Sequence, residues 1–284
     1  MSRAGRSGRS KLENLKAKGE LFRSLHHREV AFIIPNPWDE GSARLLAHLG
    51  FEALATTSMG YAYSHGQRDG SLGRKRTLDY AKAMAAATNL PVSADLENCF
   101  GDSPAKVAET IRLAGKTGIV GGSVEDSTGL PDYPIYDIDK ATARVKAAAK
   151  AAHTLPFAFT LTARAENYLH GRPNIEDTIQ RLQSYQDAGA DVLYAPGLTS
   201  REEIARVVGS LKKPVNVIMG RKAGMPLSLS ELSSIGVKRV SVGSALCRTV
   251  LATLMSAGRE MKEQGTFTFA AGAVDPKDMD PIFS

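Results

Sequence analysis

The stretch LPVSADLENCFGDSPAKVAETIRLAGKTGIVGGSVED, residues 90–126, decides how the chain is organised. It contains two short apolar runs, 90–97 and 121–126, each ending in acids. Between them, residues 103–118 carry apolar side chains every three or four positions, the spacing of a helix with one buried face. Ser103 suits the helix N-cap, and glycine near position 118 suits its end. The segment therefore reads as strand, loop, helix, strand.

The same alternation extends in both directions. Further apolar runs are AFIIPNP (31–37), FEALATTS (51–58), FAFTLTARAE (157–166), DVLYAPG (191–197), PVNVIM (214–219) and RVSVGSA (239–245), giving eight in all. Several are almost continuously apolar, as strands buried on both faces must be. Helical spacing returns in NIEDTIQRLQSYQDAGA (174–190), with Asn174 as its N-cap. Helix-like segments also lie at about 11–26 and at 246–264. Eight such repeats without a break in composition predict an α/β fold, a (β/α)8 TIM-type barrel with an N-terminal helix and a C-terminal helical extension. An open doubly wound sheet is the competing architecture, but no GxGxxG follows the first strand. We assign residues 13–284 to this single domain and residues 1–12 to a disordered basic tail.

The formal charge of +6 is concentrated in that tail, where Arg3, Arg6, Arg9 and Lys11 occur without an acid. Without them the body carries +2, so a nucleic-acid partner is not expected. No segment holds an apolar core long enough for a signal sequence or a membrane span, and the two cysteines lie far apart. These features fit the cytoplasm and no membrane partner.

Barrel enzymes build their sites on the loops at the C-terminal ends of the strands. Polar residues ending apolar runs are therefore the candidates. Asp95 and Glu97 lie two apart and share a face, and Glu125 ends the next run. Asp69 stands in the loop after the second run. Clustered carboxylates need a cation, and an all-oxygen set favours a hard one, Mg2+ first and Mn2+ second. Arg164, two residues before Glu166, offers a planar fork for a substrate carboxylate, with an ion pair to Glu166 as its alternative role. Thr57 and Ser58 can face an oxyanion, with a simple turn as their alternative. Asn216, in the seventh run, joins the substrate-binding candidates. His65 is a proton-transfer candidate alongside Tyr61, Tyr63, Tyr133 and His170. Asp126 reads as a helix cap or surface ion pair, and Cys99 as an inert, buried thiol.

Several ordered motifs together resemble the isocitrate lyase/phosphoenolpyruvate mutase superfamily over about residues 20–250. They are NPWDEGSARLLAHLGFEAL (36–54), SHGQRDG (64–70), SADLENCFGD (93–102), GGSVED (121–126), TARAENYLHG (162–171) and DAGADVLYAPGL (187–198). The resemblance implies a homotetrameric Mg2+ enzyme that breaks or rearranges C–C or P–C bonds of small oxo acids through an enolate. It makes Asp95 the direct metal ligand, with Asp69, Glu97 and Glu125 on the metal's waters. Arg164 would hold the substrate carboxylate, with Thr57 and Ser58 on its oxo group.

The lyases' Lys-Lys-Cys-Gly-His loop is replaced here by residues 126–133, DSTGLPDY, with neither Lys nor Cys. Pro196 stands where the lyases carry Glu. The expected activity is C–C cleavage of a small 2-oxo or 2-hydroxy (di)carboxylic acid. Phosphonopyruvate-type P–C chemistry and a non-catalytic oxo-acid-binding barrel are the alternatives.

Overall fold

The computed structural model of the protein describes residues 3–220 and 227–284. Helix α1 (Arg3–Leu25) precedes the first strand and begins inside the stretch that composition assigns to a tail. Strands β1 (Phe32–Ile34), β2 (Leu54–Ala55), β3 (Val92–Ala94), β4 (Gly121–Glu125), β5 (Thr160–Arg164), β6 (Val192–Tyr194), β7 (Val215–Ile218) and β8 (Arg239–Ser241) form one parallel sheet. Helices separate them: α2 (Glu40–His48), α3 (Ser58–Ser64), α4 (Gly73–Ala87), α5 (Pro104–Ala114), α6 (Ile138–His153), α7 (Ile175–Asp187), α8 (Arg201–Gly209) and α9 (Leu229–Ser234). The chain ends with α10 (Ala245–Arg259) and α11 (Pro276–Phe283). The eight predicted runs each hold one strand, and the fold is the (β/α)8 barrel.

Local chemistry sets the helix starts. Ser103 accepts from Lys106 N with Pro104 in the first turn, and Asn174 accepts from Glu176 N and Asp177 N. Buried apolar faces of α5, α6 and α7 then close over the strands.

The strand ladder runs from β1 through β8 and down to β2, which leaves β1 and β2 as the seam. One backbone bond crosses it, Ala55 N to Pro35 O at 3.0 Å. Pro35 has no N–H to return, so the ladder stops there. Asn36 takes over: its Nδ2 donates to Thr56 O (3.0 Å), and its Oδ1 accepts from Val242 N and Gly243 N (both 2.9 Å). One buried amide thus ties β1, β2 and β8 at the mouth.

Both cysteines are free and buried. Among the described residues no helix is long and apolar enough to cross a membrane.

Candidate active site

A cavity of about 720 Å3 opens at the C-terminal ends of the strands. Among the residues lining it are seven of the predicted ones: Thr57, Ser58, Tyr63, Asp69, Asp95, Arg164 and Asn216. Thr57 caps α3 by accepting from Gly60 N, so its turn role is also real. The N–H of Ser58 donates to Asp95 Oδ2 at 3.3 Å, and Ser123 and Glu97 N reach Asp95 Oδ1.

Arg164 is the hub. Its Nη1 lies 2.7 Å from Glu125 Oε1 and 3.3 Å from Asp95 Oδ1, and its Nε lies 2.7 Å from Glu166 Oε1. The ion pair expected with Glu166 is thus formed, and Glu125 and Asp95 add to it. Three acids hold the guanidinium by two of its nitrogens, leaving Nη2 without a protein partner among the described residues. The ring of Tyr194 lies 5.1 Å from the guanidinium carbon and fixes its plane.

Glu97 and Glu125 stand behind this wall rather than on it. Burial pushes Glu97 up to about 7, helped by repulsion from Asp95 and Asp69. Burial also raises Glu125, against the pull of Arg164. Burial opposes the charge on Arg164, but Glu125, Glu166 and Asp95 together hold it above its usual range. One arginine does not neutralise this many carboxylates, and the oxygen-only donor set fits a hard divalent cation. Among the described residues no three acids converge tightly enough to ligate one ion directly.

The loop carrying Glu97 is unusual. Glu97, Cys99 and Phe100 have φ of 50°, 61° and 58°, left-handed conformations that cost non-glycine residues energy. Arg144, fully buried in α6, donates to the carbonyls of Asn98, Gly101 and Asp102 and holds that loop. Cys99 is buried, as expected, and that burial pushes its thiol up to about 12.

His65 ends α3, exposed, with Nδ1 3.0 Å from Tyr61 O, and it is not among the residues lining the cavity. Tyr63 does line it, whereas Tyr133 bonds Asp137 in the loop after β4. That loop is pinned by an antiparallel bridge between Ser127 and Ile135.

Asp126 is neither a cap nor a surface partner. It is buried, accepting from Glu166 N (2.8 Å), Arg181 Nη1 (3.1 Å) and the Tyr185 hydroxyl (2.6 Å). It anchors the backbone from which Glu166 reaches Arg164. The sequence reading missed Tyr194, Arg239 and Arg248, which also line the cavity. Arg239 opens the eighth run directly after Lys238, so nothing in the sequence set it apart from a basic pair before a strand.

The family model for phosphoenolpyruvate phosphomutase matches residues 22–262. A crystal structure from Burkholderia cenocepacia J2315, of a protein named as a candidate lyase/mutase, superposes with a TM-score of 0.94. It is 57% identical and covers 96% of this chain and 97% of its own. The 2-methylisocitrate lyase of Halalkalibacterium halodurans is 27% identical over 266 residues, 90% of this chain and 86% of that one. The oxaloacetate decarboxylase of Paraburkholderia xenovorans is 25% identical over 248 residues, 84% and 79% of the two chains. With the barrel, the acid cluster and this match over most of its length, the chain belongs to the phosphoenolpyruvate phosphomutase family, within the isocitrate lyase/phosphoenolpyruvate mutase superfamily of enzymes.

Proposed function

We propose that this enzyme is a Mg2+-dependent lyase or decarboxylase that cleaves a C–C bond in a small 2-oxo or 2-hydroxy (di)carboxylic acid by way of an enolate. The observation that carries this reading is Arg164, held rigid by Asp95, Glu125 and Glu166 with Nη2 free at the cavity. Asp95 would hold the cation directly, with Glu97, Glu125 and Asp69 on its water ligands; Mn2+ is the second choice. The bound cation supplies positive charge opposite a developing oxyanion.

The chain's own groups do the rest. The free Nη2 of Arg164 binds the substrate carboxylate, and Tyr194 beneath the guanidinium keeps it from rotating. Thr57 and Ser58 place a hydroxyl pair beside the oxo group. The cleavage step then needs no strong acid on the protein, which suits a loop after Glu125 that lacks Lys and Cys. Oxaloacetate decarboxylation makes the smallest demand of this kind, and a relative of that name supports it.

Purified protein with Mg2+ should convert at least one of oxaloacetate, 2-methylisocitrate and 2,3-dimethylmalate, followed by NMR. Turnover no greater than that of Asp95→Ala on all three would sink the reading. P–C bond chemistry is the second reading, supported by the description of the matching family model. Turnover of phosphonopyruvate would select it. A homotetramer is supported by the apolar side chains that α10 leaves exposed, among them Val250, Leu254 and Met255. Analytical ultracentrifugation tests it.

A further inference from the structure

Glu125, Arg164, Tyr194, Asn216 and Arg239 are register partners across β4 to β8. Side chains paired in register on a parallel sheet face the same side, so this row follows the inner wall. Strand tilt carries it from the mouth toward the floor. Its last member, Arg239, is only 5% exposed and lines the cavity.

The partners of Arg239 are all neutral. Its Nε donates to Asn216 Oδ1 (2.8 Å), its Nη2 to Thr162 Oγ1 (2.9 Å), and its Nη1 lies 3.3 Å from His26 Nε2. His26 Nδ1 lies 2.8 Å from the Phe22 carbonyl, which can only accept. The proton is therefore on Nδ1, Nε2 offers a lone pair, and the imidazole is uncharged. No ion pair among the described residues includes Arg239. Of its five N–H groups three are used, and one on each terminal nitrogen is left over. A guanidinium buried without a counter-ion is costly to keep for structure alone.

Arg239 also fixes Asn216. An arginine only donates, so Oδ1 of the amide must face it, and Nδ2 is turned toward Ser241 and the cavity. Thr162, which Arg239 touches, lies two residues before Arg164 on β5. That is a step of about 6.6 Å along the strand, so Arg239 and Arg164 line one cavity at different depths.

We infer that Arg239, with Asn216 and Thr162, forms a second anion subsite that receives the distal carboxylate of a small dicarboxylic acid whose first carboxylate lies on Arg164. The inference rests on the oxo-acid reading for the first carboxylate and narrows the substrate to dianions.

The test is calorimetric binding of malate and of lactate, both enantiomers of each, to the full chain with Mg2+. The two ligands differ by the distal carboxylate. Wild type should bind malate at least about tenfold more tightly than lactate. Arg239→Gln should weaken malate about 30-fold while lactate changes less than about threefold. Arg239→Lys, which keeps the charge, should recover most of the malate affinity.

Equal loss for both ligands would reduce Arg239 to a positioning residue for Asn216 and overturn the subsite. So would a wild type without preference for malate. Arg239-dependent malate preference in a protein that turns over no diacid would keep the subsite and discard the proposed reaction. Diacid turnover whose KM ignores Arg239→Gln would do the reverse.

Discussion

Arg164 occupies a position where two demands on a guanidinium meet. A substrate fork must be stiff, and stiffness here comes from Glu125, Asp95 and Glu166 gripping Nε and Nη1. Lysine cannot reproduce this, because one ammonium cannot span three carboxylates and still present free N–H groups to the substrate. Arg164→Lys should therefore lower kcat/KM on the productive substrate by about 100-fold or more, with most of the loss in KM. Steady-state kinetics checks it; a drop below about threefold would separate Arg164 from the substrate. Asp126 makes a different prediction, because its three partners are structural. Asp126→Ala strands a backbone N–H, a buried tyrosine hydroxyl and one contact of Arg181. It should cost about 3–5 kcal/mol in urea unfolding. A surface pair would cost about 1 kcal/mol at most. That difference is why the acid's burial matters. In sequence Asp126 looks like any charged residue after a strand, since its partners Arg181 and Tyr185 lie 55 and 59 positions away.

At the level of elements, two contacts decide how tightly the barrel closes. Gly19 of α1 packs against the chain just before β5, where an added Cβ would lie 2.3 Å from Ala158 O. Gly19→Ala gains about 1 kcal/mol of helix propensity. The backbone collision costs about 1–3 kcal/mol and moves α1 outward, so the variant should be less stable in chemical denaturation. A more stable variant would mean that α1 does not dock as described. Asn36 is the second contact. Asn36→Ala frees the Thr56 carbonyl at the β1/β2 seam and two amide donors just after β8, each costing about 1–3 kcal/mol when left buried and unpaired. Because the seam lies at the mouth, substrate affinity should fall along with stability. The strands and their order were legible because each apolar run must be buried between neighbours. Their ends were not: FEALATTS supplies only Leu54–Ala55 as strand, since the ladder to β3 stops where Asp95 N donates to the Thr56 hydroxyl and Asn36 takes the Thr56 carbonyl.

Across the whole molecule, Asp95, Glu97 and Glu125 could be read from sequence because they sit at or just past the ends of β3 and β4, whereas Asp69 comes from the loop after α3. The floor could not. His26 and Arg239 are 213 residues apart and meet only after the barrel closes. Neither carries a motif, and His26 reads as one more histidine at a helix end. Yet it joins α1, β1 and β8, packing edge-on against Phe22 and Phe32, and this gives global stability a pH dependence. Burial, with the adjacent Arg239 second, lowers His26 from 6.5 to about 3. The unfolded chain therefore binds a proton between those values and the folded one does not. The contribution of the neutral ring is fully present above about pH 6.5 and is lost as pH falls toward 3. The slope approaches about 1.4 kcal/mol per pH unit. Other groups titrate over the same range, so the useful quantity is the difference between wild type and His26→Gln, which keeps an acceptor but takes no proton. Wild type should lose stability faster than the variant as pH falls from 6.5 to 4.5, measured by urea unfolding at fixed ionic strength. Parallel curves would mean that His26 is charged in the fold, and Arg239 would then need its anion on a floor already crowded with positive charge.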